Sequence, residues 1–74
     1  MDKKLFNHIF STLDGKDAMI VKLLANDLRP KEMAEQIGIS VRVVEARILS
    51  MRRNFKCNTV AGLVALFFRN KVIS

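Results

Sequence analysis

Apolar positions recur along this chain at a helical period. Residues 3–11 place Leu5, Phe6, Ile9 and Phe10 on one face of a short helix or arm. Asp14 then reads as an N-cap, with Asp17 three residues on in the manner of a capping box. It opens a helix over about 15–26, with Ile20, Leu23, Leu24 and Met19 on its inner side. Pro30 suits the first turn of a second helix, about 30–37, whose inner face is Met33, Ala34 and Ile37. Gly38 ends that helix and Ser40 caps the next, about 41–55. Here Val44, Ile48, Met51 and Phe55 fall at i, i+4, i+7 and i+11, the cleanest periodic signal in the sequence. Thr59 caps a last helix, about 60–70, which is apolar nearly all round: Val60, Ala61, Leu63, Val64, Leu66, Phe67 and Phe68. A helix apolar on every side is expected to be buried on every side. The rest of so short a chain is not expected to cover it, so a second subunit is predicted to do so.

Composition narrows this picture. The 74 residues allow one domain, and half of them are apolar. One Pro and three Gly speak against disorder and against a turn-rich sandwich. Cys57 and His8 are each the sole residue of their kind, so neither an internal disulfide nor a Cys/His zinc set can be assembled. The longest apolar run near the C-terminus, LVALFF, is far below the ~20 residues of a membrane span. The start, MDKKLFNHIF, is too short an apolar run for a signal peptide. A cytoplasmic protein is expected. No nucleophile–base pair, carboxylate dyad or Gly-rich phosphate loop can be built around His8, so no enzyme and no cofactor are expected.

Charge points to a partner. Thirteen Lys and Arg face seven acids, for a net charge of +6. A polyanion is the first candidate, and solubility the plainer explanation. From Arg29 to Lys56 there are seven bases (Arg29, Lys31, Arg42, Arg47, Arg52, Arg53, Lys56) and three acids (Glu32, Glu35, Glu45). The bases gather at the start of the 30–37 helix and along the 41–55 helix. Two helices joined by a short Gly-containing turn have the layout of a helix-turn-helix, although a plain core hairpin shares it. In the DNA-binding form the second helix enters the major groove.

The run LDGKDAMIVKLLANDLRPKEMAEQIGISVRVVEARILSMRRNFKC resembles the LuxR-type (GerE-like) helix-turn-helix of bacterial transcription regulators. Leu13 to Ala25 is similar to that family's opening Leu-Thr-x-Arg-Glu-x-x-Val-Leu-x-Leu-Leu-Ala. Lys31, Glu32, Met33 and Ala34 are similar to its Lys-Glu-Ile-Ala step. Ile37, Gly38, Ile39, Ser40, Val43 and Val44 are similar to its Leu-x-Ile-Ser-x-x-Thr-Val, and LVALFFRNKVI resembles its fourth helix. The likeness runs without gaps over about residues 13–73. The chain departs where the family usually has Thr (here Val43), a basic residue (Glu45), His (Arg47), Leu-Gly-Val (Phe55, Lys56, Cys57) and Arg (Val60).

The resemblance implies an all-α, four-helix helix-turn-helix domain over 13–74, with residues 1–12 as an arm or short fifth helix. It implies a dimer formed through the last helix, with Val60, Leu63, Val64, Phe67 and Phe68 at the interface. The expected partner is double-stranded DNA in the bacterial nucleoid. Arg29, Lys31, Ser40, Arg47, Arg52 and Arg53 are expected at phosphates, and Arg42, Glu45, Ala46 and Leu49 at bases. Glu45 has three readings: a partner for Arg42 or Arg52, an acceptor for cytosine N4, or a charge that repels phosphate. The last motivates a rival function, an interaction module that pairs with or antagonises another transcription regulator through its last helix. Cys57 reads as an apolar filler or as a redox sensor, and the 1–12 segment as a packed helix or a docking arm.

Overall fold

Each helix in the computed structural model, which describes residues 1–73, starts where a side chain takes up a free N–H at or just before its first turn. In α1 (Lys3–Phe10), Asp2 accepts from the Leu5 N–H at 2.8 Å. α2 (Gly15–Ala25) opens with the predicted capping box: Asp14 accepts from the Asp17 N–H at 3.0 Å, and Asp17 from the Asp14 N–H at 3.4 Å. α3 (Pro30–Ile37) begins at Pro30, and the Glu32 carboxylate accepts the Arg29 N–H at 2.9 Å. Ser40 caps α4 (Val41–Asn54) and Thr59 caps α5 (Val60–Arg69), at 3.1 and 3.0 Å. Hydroxyl caps of this kind contribute about 1 kcal/mol each. The described residues form an all-α domain of five helices, with no strand among them.

Four of the five helices also end alike. α3 stops at Gly38, whose φ of 82° is left-handed. α2, α4 and α5 make the same turn without glycine, at Asp27, Lys56 and Lys71, with φ of 64°, 55° and 61°. In all four the next N–H reaches back across the last turn: Leu28 to the Leu23 carbonyl, Ile39 to Ala34, Cys57 to Arg52 and Val72 to Phe67, at 2.8–3.2 Å. The four donors are apolar residues that fold back against the core, as this termination requires. Cys57 therefore sits half-buried against the core, its thiol 3.6 Å from the Phe55 carbonyl.

α4 touches α2, α3 and α5 and carries the buried row Val44, Ile48, Met51 and Phe55 that its period predicts. Phe55 meets Phe6 and Phe67 with ring centroids 5.2 and 5.3 Å apart, and Phe6 meets Phe67 at 5.4 Å. Phe10 adds to this cluster. Phe6 is fully buried, so α1 belongs to the same core as the other helices, and the packing shows no boundary near residue 12. In α2 the inner face is centred on Ile20 and Val21, while Met19 points outward. Val21 escaped the sequence pattern because it stands one position off the 20–23–24 stripe.

α5 is only partly covered by its own chain, as expected of a helix apolar nearly all round. It is covered on one side, by Leu63, Leu66 and Phe67. Val60 and Phe68 are 36% and 45% exposed, and Ala61 and Ala65 are exposed too.

Replacing Phe6 by Ala should cost roughly 3–5 kcal/mol, a large share of the stability of so small a domain. Replacing its exposed neighbour Leu5 by Ala should cost about 0.5 kcal/mol or less. Urea melts of the two variants compare them, and equal midpoints would show that α1 is not part of the cooperative core.

Candidate nucleic-acid interface

The α3–α4 pair owes its geometry to a three-residue connection. Gly38 turns the chain, Ile39 anchors it to the core, and Ser40 starts α4. Because Val44, Ile48, Met51 and Phe55 face inward, the row two residues behind faces outward, about 200° round the helix. That row is Arg42, Ala46, Leu49 and Arg53, all exposed. It is apolar in the middle and cationic at both ends.

Glu45 is exposed on the flank of this row. Its expected ion pair with Arg42 or Arg52 is not formed. Among the described residues the only ion pairs belong to Arg47. Arg52 instead donates to the Asn58 carbonyl and ties the α4–α5 loop to α4. Its Nε is buried without an acceptor.

Arg47 lies on the opposite flank and is engaged within the chain. Its guanidinium meets Asp14 at 2.9 Å and Asp17 at 3.0 Å, joining α4 to the first turn of α2. The trio sums to one negative charge, so this flank offers a phosphate little. No sequence spacing reports this contact, since the partners lie 30 and 33 positions away. The Asp17 backbone N–H, then the Arg47 guanidinium, hold the Asp14 carboxyl below its ordinary value of 3.8. Asp14 and Asp17 raise the Arg47 pKa in return.

The remaining sequence-predicted residues divide. Arg29 and Lys31 are exposed at the start of α3, Arg53 is exposed in the last turn of α4, and Arg52 is half-buried. The Ser40 hydroxyl is occupied as an acceptor by the Val43 N–H. Among the residues assigned to a subunit interface, Leu63 and Phe67 have no exposed surface and belong to the core, Val64 is half-buried, and only Val60 and Phe68 are open. Sequence reasoning passed over Lys56 as a site residue. It lines, with Leu49, Arg52, Arg53, Cys57 and Asn58, a hollow of about 330 Å³ beside the last turn of α4. Only its unusual backbone position distinguishes it, and no periodic pattern reports that.

Among the described residues no three His, Cys, Asp or Glu side chains gather to hold a metal ion, and no helix is long and apolar enough to cross a membrane. No protein-family model matches the chain, and no curated protein or solved structure matches it significantly.

The Arg47 clasp predicts an acid-sensitive fold. A depressed carboxyl pKa stabilises the folded state above the ordinary value of 3.8, and this contribution is lost as pH falls through the folded-state value. Asp14→Asn should therefore lower the melting temperature at neutral pH and flatten its decline in acid. Thermal melts from neutral pH down to about pH 2 test this, and parallel curves for the two proteins would remove the clasp from the account.

Proposed function

We propose that this protein is a small bacterial transcription regulator of the LuxR-type helix-turn-helix class, binding duplex DNA as a dimer with α4 in the major groove. The observation that carries this reading is the outward row of α4. Arg42 and Arg53 bracket Ala46 and Leu49, which is the chemistry base edges and thymine methyls accept. Glu45 beside them is unpaired and free to accept from cytosine N4. Exposed Arg29 and Lys31 stand at the first turn of α3, where free N–H groups and the helix dipole also favour a phosphate. Arg53 supplies a phosphate contact at the far end. Arg52 serves chiefly to hold the α4–α5 loop, and Arg47 to brace α4 against α2. Val60, Val64 and Phe68 of α5 meet the second subunit, in the cytoplasm of a bacterial cell.

One observation favours the rival reading. The open side of α5, with Val60, Ala61, Ala65 and Phe68, is apolar enough to pair with another regulator, and Glu45 would weaken DNA binding by such a module.

Selection from random duplex DNA, coupled to a sizing run, separates the two. A recovered palindromic or repeated motif with a dimer in solution is the expected result. A clean dimer without any enriched sequence would overturn the DNA reading in favour of the interaction module. Arg53→Ala should lower the slope of log affinity against log salt by about 0.9 while leaving stability unchanged. Arg47→Ala should do the reverse, lowering the melting temperature with little change in slope. If the two variants behave alike, the division of labour between them is wrong.

A further inference from the structure

We infer that the hollow beside the last turn of α4 is an anion site that seats one backbone phosphate of duplex DNA, with Lys56 and Arg53 as its ligands. This rests on the duplex-binding reading and adds to it a place, a ligand group and a residue. Three cations, Arg52, Arg53 and Lys56, line the hollow, and no acid does. None of the three is in an ion pair among the described residues. Arg52 is pinned to the Asn58 carbonyl, so its charge is fixed in the wall, while Arg53 and Lys56 are exposed. Like charges this close repel. The negative end of the α4 dipole offsets part of that repulsion, and a bound anion offsets more.

The position of the hollow selects the duplex. Leu49 and Arg53 belong both to its lining and to the outward row of α4, so the hollow opens on the face proposed for bases. From Arg42 to Arg53 the helix rises about 16 Å, whereas the major groove is about 12 Å wide. A helix that enters by its N-terminal end therefore carries its last turn to the groove wall, where the phosphates are. A lipid phosphate shares the chemistry, but the row beside the hollow offers a single large apolar side chain, Leu49, for a membrane to accept.

Lys56 permits a clean test, because its φ of 55° is one that glycine adopts without cost. Lys56→Gly removes the cation while easing the backbone. The variant should melt at the same or a higher temperature and bind a labelled random-sequence duplex about tenfold more weakly. Its salt slope should be shallower by about 0.9. Arg53→Ala should show a similar loss, which guards against any change of fold in the first variant. Unchanged affinity and slope in Lys56→Gly would overturn the site while leaving the duplex reading intact. Failure of the unaltered protein to bind duplex would overturn both. Binding to phosphatidylglycerol vesicles but not to duplex, lost in Lys56→Gly, would overturn the duplex as the ligand.

Discussion

The contact of Phe55 with Phe6 and Phe67 holds the structure together. Phe55 closes α4, Phe6 lies near the start of the chain and Phe67 near the end of α5, and each pair of rings is 5.2–5.4 Å apart. Tilted and edge-on pairs at this separation add about 0.5–1.5 kcal/mol beyond the area they bury. The cluster also settles orientation. With Phe55 fixed inward, the row Val44, Ile48 and Met51 must follow, and Arg42, Ala46, Leu49 and Arg53 must face out. The exposed chemistry of α4 is thus a consequence of a core contact at its far end.

Much of this could be read in the sequence, for a local reason. Helix starts are written in single residues: Asp14, Ser40 and Thr59 each cap the next helix as their types suggest, because a cap acts within three positions. The α4 period was legible because four apolar residues repeat on one side of a helix bounded by Ser40 and the 55–57 turn. What the sequence hid is long-range or depends on sign. The Arg47 clasp joins positions 30 and 33 apart, and no spacing rule reaches that far. The arm at 3–10 has the same period whether it packs on its own chain or elsewhere; only the geometry shows Phe6 in the core. For α5 only the choice of inner side was hidden. A nearly uniform apolar helix has no polar stripe to mark its outer side, so its two faces look alike until neighbours are placed.

The two flanks of α4 differ because of Arg47. On its side the charges of Arg47, Asp14 and Asp17 are spent on joining helices, and the first-turn N–H groups of α2 are already capped. On the other side Glu45 is in no ion pair among the described residues, and Arg42 and Arg52 stand three positions before it and seven after. The unpaired cations of α4 therefore lie along the Arg42–Arg53 row, and Arg47 at the α2 end is already neutralised. A net charge of +6 says nothing of where the free positive charge lies; the clasp makes it uneven between the two flanks.

The helix ends carry the argument one step further. Four helices end with the same left-handed turn, yet only α3 uses glycine. A non-glycine residue in this conformation costs about 1 kcal/mol. At Asp27 a short polar side chain softens that cost. At Lys56 and Lys71 it does not, but a cation beside the negative end of a helix returns part of it. Lys71 lies with Lys22 beside Phe68, on the open side of α5. Lys56 lies with Arg52 and Arg53 at the end of the α4 row. The same local compromise thus sets one cation beside the apolar face of α5 and another beside the outward face of α4. Glycine at either turn would relax the backbone and remove a charge from the border of a face that the core leaves open.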